Sequence, residues 1–203
     1  MPRMYRNRFV APRLVAALSG VALISVFGGL SACSKADTAK TEDTVASAAA
    51  DVSAGVSSVA ADMDAQKTTD FVTKAGIANM FEIQTSEAAI KTSKNPAVLS
   101  FAKMMVKDHT AAGKAYDTAV AATSGVTPPA GLDDDHQKKL DDLNTKTGKD
   151  FDDQYISLQK DAHADAVSLF DDYSKNGKDA ALAKFATDTL PTLQKHKDAI
   201  DKM

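Results

Sequence analysis

The stretch VLSFAKMMVKDHTAAGKAYDTAV, residues 98–120, indicates the fold class of this chain. Its apolar side chains recur every three or four residues, which is the period of a helix with one buried face. Pro96, which suits a first helical turn, precedes the stretch, and a Gly- and Pro-containing break at residues 125–131 follows it. The pattern therefore predicts an amphipathic helix over residues 96–123.

The same helical period continues on both sides of this stretch, without the alternation typical of a strand. It predicts three more helices at about residues 68–93, 133–175 and 179–202, the second of which is divisible into two pieces at Gly148. The connections after residues 93 and 175 are short and force antiparallel hairpins. Two such hairpins bury their apolar stripes best as an all-α, antiparallel four-helix bundle, which we predict for residues 68–203.

The N-terminus carries a different signal, ending at the only cysteine of the chain. An apolar stretch over residues 14–30 leads into Leu30-Ser31-Ala32-Cys33, and four basic residues precede it, namely Arg3, Arg6, Arg8 and Arg13. This arrangement resembles a bacterial lipobox, so residues 1–32 are interpreted as a signal peptide and Cys33 as the lipidated residue. An uncleaved membrane anchor would need about 20 apolar residues, and this stretch is shorter and rich in Gly and Ser.

The lipobox interpretation also predicts a location and a membrane partner. Ser34, in place of Asp, is typical of lipoproteins sent to the outer membrane. We therefore expect a protein of the cell envelope that is anchored in the outer membrane through the lipid on Cys33 and faces the periplasm.

Removal of the signal peptide changes the charge of the protein. All four arginines lie in residues 1–32, so 20 lysines face 27 acidic residues in the remainder. An arginine-free, acidic chain without a basic stripe is a poor match for nucleic acid, because phosphate contacts and base contacts depend on clustered Lys and Arg. We therefore exclude nucleic acid as a partner, whereas the sequence does not identify a protein partner.

Residues 33–67 separate the lipidation site from the predicted bundle. Their Ala-, Ser-, Thr- and Asp-rich composition has no aromatic residue and is too weakly apolar for a core of its own. Val45, Val52 and Val59 repeat every seven residues, which leaves a helical stalk as an alternative. We favour a flexible tether over the stalk, because Gly55 and the serines disfavour a helix.

Four ionisable residues fall on the apolar faces of the predicted helices. His109 follows Met105 by four residues and His196 follows Leu193 by three, so both lie in apolar stripes. Glu82 and His163 have apolar neighbours at similar spacing, although Gln159 and Lys160 suggest that His163 lies nearer an edge. His136 differs, because it stands beside three aspartates at a helix start and is expected at the surface.

These residues are also predicted at similar heights. At about 1.5 Å per residue, Glu82, His109 and His163 all lie about 20 Å along helices about 38 Å long, with His196 one or two turns away. Three imidazoles and one carboxylate suit a tetrahedral site for zinc, and also iron, copper or manganese. A hydrogen-bonded polar core without metal satisfies the same spacing, so both interpretations stay open.

The ordered motifs around these positions resemble one bacterial envelope family, the domain of unknown function DUF4142. They cover about residues 68–201 and are Phe81-Glu82-Ile83, Phe101 to His109, Phe151-Asp152-Asp153-Gln154-Tyr155, Ala162-His163 and Leu190 to His196. The resemblance implies a ferritin-like four-helix fold and no established catalytic residue. Asp108, Asp152 and Tyr155 are the motif residues expected to support the candidate ligands.

The ferritin-like resemblance does not extend to a di-iron site. Such sites place a Glu three residues before a ligand His on two helices, whereas Val106, Lys160 and Leu193 occupy those positions here. The chain also lacks a recognisable catalytic nucleophile with its general base, and it lacks a Gly-rich phosphate-binding loop. The sequence therefore predicts a non-enzymatic envelope lipoprotein with a stress-related or partner-binding role, with a metal-binding protein using Glu82, His109, His163 and His196 as the alternative.

Overall fold

This computed structural model describes the backbone of residues 42–203 and the side chains of residues 57–203. Five helices follow in order, which are α1 (Glu42–Thr92), α2 (Pro96–Ala121), α3 (Asp134–Asn144), α4 (Gly148–Asn176) and α5 (Ala180–Ile200). No strand occurs within these residues. The predicted all-α class is therefore confirmed.

The first helix is longer than predicted. We expected it to begin near residue 68, but it begins at Glu42 and includes most of the segment interpreted as a tether. Residues 42–67 are thus helical, which is the alternative that the sequence left open. Alanine is the strongest helix former, and its frequency in this segment outweighs the cost of Gly55. Val59 and Met63 are exposed on this part of the helix.

Short polar side chains fix the starts of the later helices. Asn95 accepts a hydrogen bond from the backbone N–H of Ala97 at the start of α2, and Asp179 accepts one from Leu182 at the start of α5. Such caps satisfy N–H groups that have no partner inside the helix. The two predicted hairpin turns are therefore each followed by a helix whose start is capped by a side chain.

The helix predicted over residues 133–175 is divided into two helices near Gly148. Helix α3 ends at Asn144, and α4 begins at Gly148, which has a φ of +58°. A residue with a Cβ adopts that conformation only at a cost, so glycine suits the junction. The result is four long helices and one short one.

Two apolar clusters fill the core and define the helix directions. The first apolar cluster contains Phe71 of α1, Val120 of α2, Tyr173 of α4 and Leu182 of α5. The second apolar cluster contains Ala89, Val98, Phe151 and Ile200 of the same four helices. Helices α1 and α5 thus run in one direction and α2 and α4 in the other. One long connection containing α3 joins the parallel pair α2 and α4, which is the ferritin-like arrangement.

The predicted signal peptide, Cys33 and Ser34 lie outside the described residues. Among the residues that are described, none of the helices combines the length and apolar character needed to span a bilayer.

Candidate metal centre

A polar layer lies between the two apolar clusters. It consists of buried side chains from all four long helices, namely Glu82, Thr85, Ser86, His109, Gln159, His163 and His196. Buried polar groups are costly unless they are paired, so a layer of seven in one core needs a physical reason. Three of the seven are histidines from three different helices.

The three histidine rings form a compact triangle. Their centroids are separated by 5.9 Å for His109 and His163, 5.4 Å for His109 and His196, and 5.6 Å for His163 and His196. One ring nitrogen from each residue lies within 4.8 Å of those of the other two. The structure therefore brings together three of the four predicted ligands, including His196, whose height was offset in the sequence estimate.

One nitrogen of each ring is held by a hydrogen-bond acceptor. His163 Nδ1 is 2.8 Å from the backbone oxygen of Gln159, and His109 Nδ1 is 3.1 Å from Asn79 Oδ1. His196 Nε2 is 3.1 Å from Asp108 Oδ2. Amide carbonyl and carboxylate oxygens accept hydrogen bonds, so each of these ring nitrogens carries the hydrogen.

The other nitrogen of each ring has no hydrogen-bond partner. His109 Nε2, His163 Nε2 and His196 Nδ1 are all buried, and none is paired with a protein group. In the neutral rings these atoms carry the lone pairs. Ligand histidines characteristically donate their second ring N–H to a carbonyl or carboxylate, which orients the ring toward the metal.

Glu82 lies beside the Nδ1 atoms of two of the histidines. Its Oε2 is 3.1 Å from His109 Nδ1, and its Oε1 is 3.4 Å from His163 Nδ1, whose N–H is directed at Gln159. Glu82 is not part of the described group whose ligand atoms meet within 4.8 Å. The predicted four-ligand set therefore becomes three histidines, with Glu82 beside the Nδ1 atoms of His109 and His163.

Burial dominates the protonation of this layer. It raises the pKa of Glu82 from 4.5 to about 8. It lowers the pKa of His109 to about 3, with further lowering by His163 and His196, and that of His163 to about 4. Desolvation favours the neutral form of each group, so His109 and His163 are uncharged at neutral pH, as metal binding requires.

The three predicted supporting residues occupy different places. Asp108 holds His196 and is 31% exposed, as expected for a link between the centre and the surface. Tyr155 is buried, but its hydroxyl pairs with Ser86 Oγ at 2.9 Å and not with a histidine. Asp152 precedes His163 by eleven residues, which is about 16 Å along α4. Only Asp108 therefore contacts the histidine group directly.

Sequence reasoning missed two partners of the histidines. Asn79 lies one turn before Glu82 on the same face of α1, a spacing that identifies it in retrospect. Gln159 was interpreted as a sign that His163 lies near an edge, but both residues are 0% exposed. Gln159 is buried because its Nε2 donates to Thr85 Oγ at 2.9 Å. His136, in contrast, is half-buried and paired with Asp133, away from the centre.

The three buried histidines can hold a metal ion. Each ring has one unpartnered nitrogen, on α2, α4 and α5 respectively, and a hydrogen bond at its other nitrogen orients the ring. A tetrahedral zinc ion with metal–nitrogen distances of about 2.0–2.1 Å would place its nitrogens about 3.3 Å apart. The rings would therefore need to move inward slightly to bind one ion.

The family comparison agrees with the resemblance that the motifs carry. The profile of the family described as "Domain of unknown function (DUF4142)" matches residues 53–203, which is more than half of the chain. No match is found among curated proteins or among solved structures.

Proposed function

The chain belongs to the DUF4142 family, and we propose that its helical bundle binds one transition-metal ion through His109, His163 and His196. One observation carries this proposal. Three histidines from three helices bring one ring nitrogen each within 4.8 Å of the others, and each ring has a buried nitrogen without a hydrogen-bond partner. Uncompensated buried polar atoms are rare in folded proteins, and a shared metal ion would compensate all three together.

The alternative is a polar core held by hydrogen bonds alone. Such a core would pair its buried nitrogens with one another or with neighbouring side chains. Here only one nitrogen of each ring is paired, and it donates its hydrogen to Asn79, Gln159 or Asp108. The other nitrogen of every ring is unpaired, which favours a ligand site.

The donor set favours particular metals. Imidazole nitrogen suits zinc, copper, iron and nickel, whereas manganese prefers carboxylate and water oxygens. Glu82 lies beside the Nδ1 atom of His109, which is not the unpartnered nitrogen of that ring, so the candidate donors are all nitrogen. We therefore propose zinc or copper ahead of iron, and manganese last among the metals considered.

Metal content of the purified protein tests this function. The wild type is incubated with zinc or copper, freed of excess metal and analysed beside a variant in which His109, His163 and His196 are all Ala. We expect one ion per chain in the wild type and none in the triple variant. His136→Ala is the matched control, because that histidine is paired with Asp133 outside the centre.

Two results would overturn the metal function. One is negligible metal in both proteins, and the other is an equal amount of metal retained by the triple variant. Circular dichroism of each variant establishes that the helices persist. A single His163→Gln variant, which keeps a polar side chain of similar size, serves if the triple variant does not fold.

We further propose that Cys33 anchors the domain to the outer membrane, with the bundle facing the periplasm. The support is the arginine-bearing, apolar leader that ends at Leu30-Ser31-Ala32-Cys33. Cys33→Ala is expected to release the protein from membranes, whereas Ser34→Asp is expected to keep the lipid but shift the protein from the outer membrane. A Cys33→Ala protein that fractionates like wild type would disprove the anchor.

A further inference from the structure

The three histidines of the candidate centre lie deep inside the bundle. The side chains of His109, His163 and His196 are 4%, 0% and 3% exposed, respectively. An ion that binds them must therefore pass between packed side chains to reach them. The surroundings of the three rings differ in how closely they connect to solvent.

His196 is linked to solvent through one side chain. Among the described residues, two carboxylates contact the three rings, and these are Glu82 and Asp108. Glu82 is 1% exposed, whereas the Asp108 side chain is 31% exposed and lies 3.1 Å from His196 Nε2 through its Oδ2. Asp108 is thus the carboxylate through which the centre meets the surface.

Asp108 also forms part of the wall of a surface groove. The groove lies between α2 and α5 and has a volume of about 670 Å³. Asp108 and Thr192 both line it, and they precede His109 by one residue and His196 by about one turn. This part of the groove is therefore adjacent to the centre. From Asp108 to Ala122 the α2 wall extends about 21 Å.

The charges in the groove favour a cation near Asp108. Lys184 and Asp188 line the groove on α5 and pair with each other at 2.7 Å, so their charges compensate. Among the described ion pairs, Asp108 has no lysine partner, and its contact is the ring of His196. An uncompensated carboxylate in a cleft attracts cations from solution and raises their local concentration.

We propose, on the basis of the metal function above, that the metal ion enters and leaves the centre through this groove, with Asp108 as the residue that binds it first. A carboxylate oxygen is itself a zinc ligand, so Asp108 receives the ion at the protein surface. The ion then passes to the ring nitrogens as the ring of His196 turns aside. Rotation of a side chain is sufficient for this step, and no helix has to unfold.

The kinetics of zinc exchange test the route. Uptake is followed by stopped flow with a chromophoric zinc indicator, and release is followed after addition of excess chelator. Ala111 lines the groove one turn after Asp108, so Ala111→Phe narrows the groove beside the centre. We expect uptake and release to slow by the same factor, at least about tenfold, with an unchanged Kd, because a narrower route raises only the barrier between the free and bound states.

Ala122→Phe is the matched control for this substitution. Ala122 lines the same groove but lies about 16 Å from Ala111, at the far end of α2. The same increase in side-chain size therefore leaves the part of the groove beside Asp108 unchanged. We expect this variant to exchange zinc at the wild-type rates.

Asp108→Asn separates the entry of the ion from the orientation of His196. The asparagine side chain keeps an oxygen that accepts the His196 N–H but removes the charge. We expect zinc uptake at least about tenfold slower than in the wild type. Added salt should slow uptake by the wild type and have little effect on the variant, because salt screens the attraction that the variant lacks. Asp117→Asn, which removes an exposed charge of α2 outside the groove, should take up zinc like the wild type.

The outcomes separate this proposal from the metal function. Wild-type exchange rates in Ala111→Phe, or equal slowing by Ala122→Phe, would overturn the groove as the route. Wild-type uptake with faster release in Asp108→Asn would show that Asp108 only orients His196, and would overturn its role in entry. A wild-type protein that retains no zinc would overturn the metal function, and the route with it. If Ala111→Phe does not fold by circular dichroism, Ala111→Leu takes its place.

Discussion

The Nδ1 atom of His163 lies 2.8 Å from the backbone carbonyl oxygen of Gln159, one turn earlier in α4. A backbone carbonyl only accepts, so this contact places the ring hydrogen on Nδ1 and the lone pair on Nε2. Asn79 and Asp108 act in the same way on His109 and His196. The lone pairs of all three rings are thus directed into the core by groups that surround it.

Removal of Asp108 is expected to weaken metal binding. Asp108→Ala takes away the acceptor that orients His196, and the loss of such a partner typically lowers metal affinity by about 10- to 100-fold. Competition with a chelator of known affinity measures the change. Asp188→Ala is the matched control, because this exposed aspartate pairs with Lys184 on the surface of α5. Equal losses in both variants would show a general charge effect.

Metal is expected to stabilise the fold. An ion bound only by the native state raises the free energy of unfolding by about 2.7 kcal/mol when its concentration is one hundred times the dissociation constant. Thermal unfolding with and without zinc measures this as an upward shift of the midpoint. The His136→Ala variant should shift like wild type. A midpoint that zinc leaves unchanged would contradict native-state binding.

The metal-free protein is expected to be most stable near pH 6.5. Below that pH the unfolded chain takes up protons on His109 and His163, whose pKa values are lowered to about 3 and about 4 in the folded state. Above it, Glu82 lowers the free energy of unfolding as pH rises. Its pKa is about 8 in the folded state and 4.5 in the unfolded chain, so the stability that its protonated form contributes is lost between these pH values.

Denaturant unfolding across this range measures the curve. One differential proton corresponds to about 1.4 kcal/mol per pH unit. Glu82→Gln has no carboxyl to ionise, so its stability should no longer fall between pH 6.5 and pH 8. A wild-type curve that rises steadily to pH 8 would contradict the assignment for Glu82.

Two glycines provide a test of the junction before α4. Gly148 has a φ of +58°, so Gly148→Ala is expected to lower the free energy of unfolding by about 1–2 kcal/mol. Gly131 lies in open space without a positive φ, so Gly131→Ala is expected to change stability by less than about 0.5 kcal/mol. Urea unfolding of both variants gives the comparison. Equal effects would argue against backbone strain at Gly148.

Much of the fold follows from the sequence because the helices are amphipathic and their ends are marked. Pro96 begins α2 and Gly148 begins α4, as the breakers predicted. The start of α1 was missed because residues 42–67 have few apolar residues, and helix propensity there competes with Gly55 and the serines. Weak and opposing local preferences do not determine a boundary.

The convergence of the histidines was also predictable, for a geometric reason. A residue near the middle of its helix stays at mid-height whichever way that helix runs. Glu82 and His163 therefore lie at similar heights in the bundle, although α4 runs opposite to α1. The role of Glu82 was not predictable in this way, because the choice between metal ligand and hydrogen-bond acceptor depends on ångström-scale side-chain positions that spacing does not fix.

X-ray absorption spectroscopy of the zinc-loaded protein tests the central claim most directly. The proposed centre predicts three imidazole nitrogens at about 2.0–2.1 Å from the metal, with the outer-shell scattering that imidazole rings produce. A fourth donor atom, oxygen or nitrogen, completes the coordination. A first shell dominated by oxygen, or one without imidazole scattering, would show that His109, His163 and His196 do not hold the metal.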